Sequence, residues 1–163
     1  GTAFHDWVQR FFHAERLFDL DDLPGAVDGE LARADAEHLA ELQAAFAVSP
    51  WATRTPVDVE APFDVVIGGT VVRGRIDAVF ADPDGGVTVV DWKTGAVPRG
   101  RDLELKSLQL AVYRLAWSRL HGIPLERIGA SFVYVAHGQE RSFPDLPGEE
   151  ELERHITDAL ARR

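Results

Sequence analysis

The chain has 163 residues, 45% hydrophobic and 27% charged, with a formal net charge of −10 and no cysteine. This length supports one domain with a proper core rather than two. The lack of cysteine excludes disulfides, thiolate zinc sites and cysteine-bound iron–sulfur clusters, so any metal must be held by oxygen and imidazole.

Residues 2–18 place Phe4, Val8, Phe11, Phe12 and Phe18 at helical spacing, and an acidic turn, Asp19-Leu20-Asp21-Asp22, and Pro24-Gly25 follow. The pattern predicts an amphipathic helix and its stop. Residues 30–48 repeat it through Leu31, Leu39, Leu42 and Phe46, ahead of Ser49-Pro50. From residue 55 to residue 91 the chain is rich in Val, Ile, Thr and Phe, broken by Gly68-Gly69 and by Asp82-Pro83-Asp84-Gly85-Gly86, which reads as strands and tight turns. Helical periodicity returns over residues 101–121. Residues 127–136 read as a strand, 139–143 as another after the His137-Gly138 turn, and 148–163 as a closing helix. The order α, α, several β, α, β, β, α predicts an α/β (α+β) fold, a mixed central sheet flanked by helices. No apolar run approaches bilayer length and no basic-then-apolar leader is present, so a soluble protein with no membrane partner is expected.

The net charge argues at first against a nucleic-acid partner, because phosphate binding depends on Lys and Arg. The distribution qualifies this: residues 71–119 carry 8 basic and 6 acidic groups, and the acid is concentrated in the flanks. Acidic helices as plain solvated surface and a deliberately segregated field are both consistent with that pattern.

Chemistry concentrates in Val89-Val90-Asp91-Trp92-Lys93-Thr94-Gly95, where a carboxylate and an ammonium end an apolar strand. A three-residue hairpin loop at Pro83-Asp84-Gly85, with Gly in the left-handed position, would set Asp77 directly opposite Asp91, their β-carbons roughly 4.5–5.5 Å apart. Like charges placed so are destabilising unless one is protonated or a cation lies between them. Lys93 shares a face with Asp91, and Trp92 points to the other face and packs. Only two of the 17 basic residues are Lys, at 93 and 106, so Arg is this chain's default cation. Lys is a compact charge suited to orienting or activating water. A structural ion cluster that neutralises two buried aspartates is the alternative. A hard cation held by carboxylates and water points to Mg²⁺ or Mn²⁺ and to phosphodiester hydrolysis, and an imidazole ligand tilts the choice toward Mn²⁺.

These residues resemble a family. Gly1-Thr2-Ala3-Phe4-His5, Glu60-Ala61-Pro62-Phe63, Gly74-Arg75-Ile76-Asp77, Asp91-Trp92-Lys93 and Gln109-Leu110-Ala111-Val112-Tyr113 occur in the order found in PD-(D/E)XK nucleases. More narrowly, they resemble the RecB-like branch found as the C-terminal nuclease domain of bacterial UvrD/Rep-type (AddA/AdnB-like) helicase-nucleases. The resemblance implies a restriction-endonuclease-like fold. It implies His5, Asp77, Asp91 and the Trp92 carbonyl as metal ligands for Mg²⁺ or Mn²⁺, with Lys93, Asp91 and Asp77 as the catalytic set. Gln109 and Tyr113 would contact DNA; read by themselves, a Gln and a Tyr on one helix face could merely cap and pack the sheet. Glu60 would act on the site through its neighbours, or salt-bridge Arg75 or Arg54. The other histidines, at 13, 38, 121, 137 and 155, show no paired ligand spacing.

The implied activity is exonuclease-type processing of single-stranded DNA, fed by an ATP-dependent superfamily-one helicase in the same parent chain during double-strand-break repair in the bacterial cytoplasm. A second helicase-nuclease subunit is a further candidate partner. The chain is then one module, residues 1–163, of a larger protein. With no Gly-Lys-Thr phosphate loop it should bind no nucleotide itself. A catalytically silent nuclease-fold module for DNA binding or partner docking is the competing reading, and a structural ion cluster in an unrelated metabolic enzyme is a third.

Overall fold

The computed structural model of the chain describes residues 2–12 and 30–161. Its elements are α1 (Thr2–Phe12), α2 (Glu30–Ala47), β1 (Asp58–Ile67), β2 (Thr70–Ala81), β3 (Val87–Lys93), α3 (Arg101–His121), β4 (Ile128–Tyr134), β5 (Gln139–Ser142) and α4 (Glu149–Ala161). Gly1, Phe18, the acidic turn and the Pro24-Gly25 stop lie outside the described residues. β4 is shorter than its apolar run because 3₁₀ turns at Leu125–Arg127 and Val135–His137 bracket it. Gly138, at φ +59°, closes the second of these turns in the left-handed region open to glycine.

One sheet runs in the order β1-β2-β3-β4-β5, antiparallel throughout except for the parallel pair β3/β4, which α3 connects. Helices cover both faces. Phe4 and Val8 of α1, with Leu42 and Phe46 of α2, pack with Trp51 on Ala78, Phe80, Val90 and Trp92. On the other face Leu110, Leu115 and Trp117 of α3 and Leu152 of α4 pack on Phe63, Val65, Ile67, Ile76, Val79, Val89 and Phe132. The alternation of β3 therefore sends Trp92 into the α1/α2 core and leaves Asp91 and Lys93 on the α3 side. Among the described residues no helix is long and apolar enough to cross a membrane.

The β2–β3 hairpin has the expected register. The Gly85 N–H donates to Asp82 O at 3.1 Å, the Asp82 N–H donates to Gly86 O at 2.8 Å, and Gly85 takes φ +88°. The ladder then runs from Ala81↔Val87 to Ala78↔Val90. It stops there, one pair short of Asp77 and Asp91.

A second irregularity lies at the same level. Val59 packs in the α1/α2 core but Ala61 in the α3/α4 core, and likewise Ala78 in the first but Ile76 in the second. Residues two apart in a regular strand share a face, so β1 and β2 each switch faces at the residue between, Glu60 and Asp77. That pair drops out of an otherwise continuous β1/β2 register. Glu60 absorbs the switch with φ +48°, a backbone conformation rarely taken by a residue with a side chain. Glu60, Asp77 and Asp91 thus lie in one row where the sheet bends, and the switch of faces re-aims the side chains on either side of it.

Candidate active site

At the row of carboxylates the side chains take over from the ladder. Asp77 Oδ2 accepts the backbone N–H of Trp92 at 2.7 Å, which holds β2 to β3 just beyond their last paired residues. The same oxygen lies 3.1 Å from His5 Nε2, and that nitrogen lies 2.9 Å from the Trp92 carbonyl. Both neighbours are acceptors, so a proton on Nε2 serves them. The burial of Phe4 and Val8 seats α1 and brings His5 over the end of β3.

One ligand atom each from His5, Asp77 and Asp91 lies within 4.8 Å of the others. Asp77 and Asp91 are both buried. Asp91 Oδ2 has no aligned hydrogen-bond partner among the described residues, although the Lys93 ammonium approaches it at 2.7 Å. Two carboxylates, an imidazole nitrogen and a backbone carbonyl fit a hard divalent ion with some tolerance for nitrogen, so His5, Asp77, Asp91 and the Trp92 carbonyl are the residues that would hold one.

The electrostatics express the same crowding. Burial, then the neighbouring Asp77, pushes the Asp91 carboxyl up to about 7, against the pull of Lys93. Burial also raises Asp77, but hydrogen bonds with His5 and Asp91 outweigh it and leave Asp77 below the ordinary carboxylate range. The pair therefore shares one proton, held on Asp91, until near neutral pH. Glu60 is raised by partial burial and then by Asp77. Among the described residues it forms no ion pair with Arg75 or Arg54; Arg54 lies 3.9 Å from Asp82 and donates to Ala81 O.

α3 forms the opposite wall. Lys93 Nζ donates to Gln109 Oε1 at 3.3 Å, and Gln109 Nε2 donates to the Tyr113 hydroxyl at 2.6 Å, a line of polar groups leading from the strand up the helix. Burial and then the charge of Asp91 push the Tyr113 phenol up to about 12, so it stays protonated. The Tyr113 ring packs edge-on against Phe63, 5.6 Å between centroids. Phe63 has room because residue 74 is glycine: a β-carbon there would lie 2.8 Å from the Phe63 ring. Glycine of the Gly-x-x-Asp element and phenylalanine of the Glu-x-Pro-Phe element thereby support the tyrosine.

The groups surround a cleft of about 490 Å³, and the structure adds members not assigned to the site from the sequence. Thr94, Gly95 and Ala96 form one rim, Lys106 stands one helical turn before Gln109, and Tyr134 closes the end of β4. Both lysines of the chain thus border one cleft. Their rarity was a signal available in the composition. Tyr134 carried none, since an aromatic residue in a strand reads as core.

A mixed five-stranded sheet with helices on both faces, bearing a carboxylate–imidazole–lysine cluster at the carboxyl ends of its parallel pair, defines a restriction-endonuclease-like α/β protein. The sequence matches the model of the PD-(D/E)XK nuclease superfamily over residues 1–163, and the chain belongs to that superfamily. Its members use divalent metals to cleave nucleic acid. The Gene 69 protein of Mycobacterium phage D29 is 37% identical over 81 residues, half of this chain but 28% of the phage protein. The crystal structure of SSO0001 superposes with a TM-score of 0.50 over 99% of this chain and 70% of the other at 17% identity, a likeness of fold alone.

Proposed function

We propose that the chain is a Mg²⁺- or Mn²⁺-dependent deoxyribonuclease that degrades single-stranded DNA ends. The observation that carries the reading is the line Asp91–Lys93–Gln109–Tyr113 standing beside the His5/Asp77/Asp91 donor set in one open cleft. A bound divalent ion would supply Lewis acidity, neutralising phosphoryl charge and easing deprotonation of a water. The chain's own groups do the rest. The buried row of Asp77 and Asp91 fixes where the phosphate must sit. The Lys93 ammonium, with three donors, keeps one over after Asp91 and Gln109 to orient the attacking water. Gln109 and Tyr113, one turn apart on one helix face, lie against the strand's backbone or bases. Glu60 acts through Asp77 and His5.

In the cell this activity belongs to a module of a larger bacterial, cytoplasmic helicase-nuclease. A superfamily-one motor in the same chain, working with or without a second subunit, delivers the strand during double-strand-break repair. The five ordered motifs of the RecB-like branch support that setting.

Cleavage of labelled single-stranded DNA with Mn²⁺ or Mg²⁺ tests the activity, and Asp91→Ala should lower it by at least about 1,000-fold. Undiminished cleavage by that variant would remove the site assignment. Calorimetry that finds no Mn²⁺ binding to the wild-type chain would favour a silent docking module instead.

A further inference from the structure

We propose that the Tyr134 hydroxyl is a working group of this cleft, a hydrogen-bond donor kept for an oxygen that enters with the loaded site: the water oriented by Lys93 or a phosphoryl oxygen of the substrate. The inference rests on the nuclease reading and adds a residue to it. Tyr134 is 2% exposed, and its hydroxyl is buried with no hydrogen-bond partner among the described residues. An unpaired buried hydroxyl loses its bonds to water with nothing in return, and folded proteins keep few of them. Phenylalanine would fill nearly the same space without that cost, so packing alone does not account for the oxygen.

Position gives it a use. Tyr134 is the last residue of β4 and pairs in parallel register with Lys93, the last of β3. The carboxyl ends of neighbouring parallel strands are where ligands of α/β sheets bind. Tyr134 lines the cleft together with Asp91 and Lys93. Its ring lies edge-on to Phe132, 6.1 Å between centroids, and the Phe132 ring lies 5.0 Å from Lys93 Nζ. The tyrosine therefore belongs to the aromatic floor on which the Lys93 ammonium rests. Two indole nitrogens, of Trp92 and Trp117, are also buried and unpartnered among the described residues. The Trp92 side chain lies in the α1/α2 core, and Trp117 packs its ring on His121 at 3.9 Å. Burial, then the charge of Asp91, holds the Tyr134 phenol above its ordinary value, so it is protonated at neutral pH, and a donor already fixed in place needs no reorganisation when the oxygen arrives.

The test is Tyr134→Phe in the whole chain. Three readouts are needed: the melting temperature without metal, kcat and KM for single-stranded DNA with Mn²⁺, and the affinity for a labelled single-stranded oligonucleotide in Ca²⁺. The expected melting temperature equals or exceeds that of the wild type, because an unpaired polar atom has been removed. A water partner predicts a kcat lower by about 10- to 100-fold with KM and oligonucleotide affinity unchanged. A phosphoryl partner predicts weaker oligonucleotide binding as well. A lower melting temperature would mean that the hydroxyl is a structural group, and wild-type kcat, KM and affinity would mean that it touches nothing that reacts; either result overturns the proposal. If the wild-type chain binds oligonucleotide but cleaves none, the nuclease reading fails first. Equal affinity of the two chains then overturns the tyrosine proposal too, whereas weaker binding by the variant upholds it.

Discussion

Asp91 is pulled in two directions, by a buried carboxylate that favours its protonated form and by an ammonium that favours the charged one. Burial and Asp77 win, and its pKa rises to about 7. A carboxyl whose folded pKa lies above its unfolded value stabilises the protein at acidic pH and loses that contribution as pH rises toward the folded value. Asp77 has the opposite sign, but its depressed pKa acts below about pH 4, outside this window. The metal-free protein should therefore melt at a temperature lower by roughly 5 °C or more at about pH 8 than at about pH 5. Asp91→Asn should flatten that profile, and Mn²⁺ should raise the melting temperature most at the alkaline end, where no proton competes for the site. Thermal scans across pH decide the matter; identical slopes for the wild type and the asparagine variant would mean that Asp91 does not hold the proton.

At the scale of elements, the site depends on where the β1–β2 hairpin turns away from β3. Glu60 and Asp77 mark the bend, and the hairpin beyond it carries Phe63 and Gly74 under α3. Gly74→Ala would place a β-carbon 2.8 Å from the Phe63 ring, so the ring must move, and with it its edge-on contact with Tyr113. A stability loss of about 1–3 kcal/mol is expected from this overpacking. Oligonucleotide affinity should also fall, as Tyr113 shifts from its place beside Gln109. Denaturant unfolding and a binding titration measure the two effects separately. Loss of stability with unchanged affinity would show that the phenylalanine props the hairpin but not the tyrosine.

For the whole molecule, a net charge of −10 leaves little general attraction for a polyanion. Such binding as occurs must come from the few cations bordering the cleft. Lys106 is exposed on its rim, on the α3 face that carries Gln109. Each phosphate neutralised on a single strand contributes about −0.7 to the slope of log affinity against log salt. Lys106→Gln should make that slope shallower by about one such contact and weaken binding at low salt, with kcat unchanged. A salt titration that gives the same slope for both chains would take Lys106 out of the interface.

Much of the fold was legible in the chain's own pattern. Periodicity located the helices and strands because the face each must bury repeats at 3.6 or 2 residues, and the limits of α3 fell where Gly100 and Gly122 allow them. The hairpin register was legible because a three-residue loop closed by glycine admits one pairing, and the spacing of Asp91 and Lys93 put both on one face. How those groups meet is a matter of long-range packing. The chain's periodicity gives no sign that β1 and β2 both change faces at Glu60 and Asp77, since which core each end of the hairpin joins depends on helices distant in the chain. The ordered motifs named His5 with Asp77 and Asp91, but periodicity could not show how α1, 72 residues before Asp77 at His5, reaches them, or that β4 brings Tyr134 beside Lys93. Those contacts join residues far apart in the chain, and burial across a packed interface, which no local pattern encodes, brought them together.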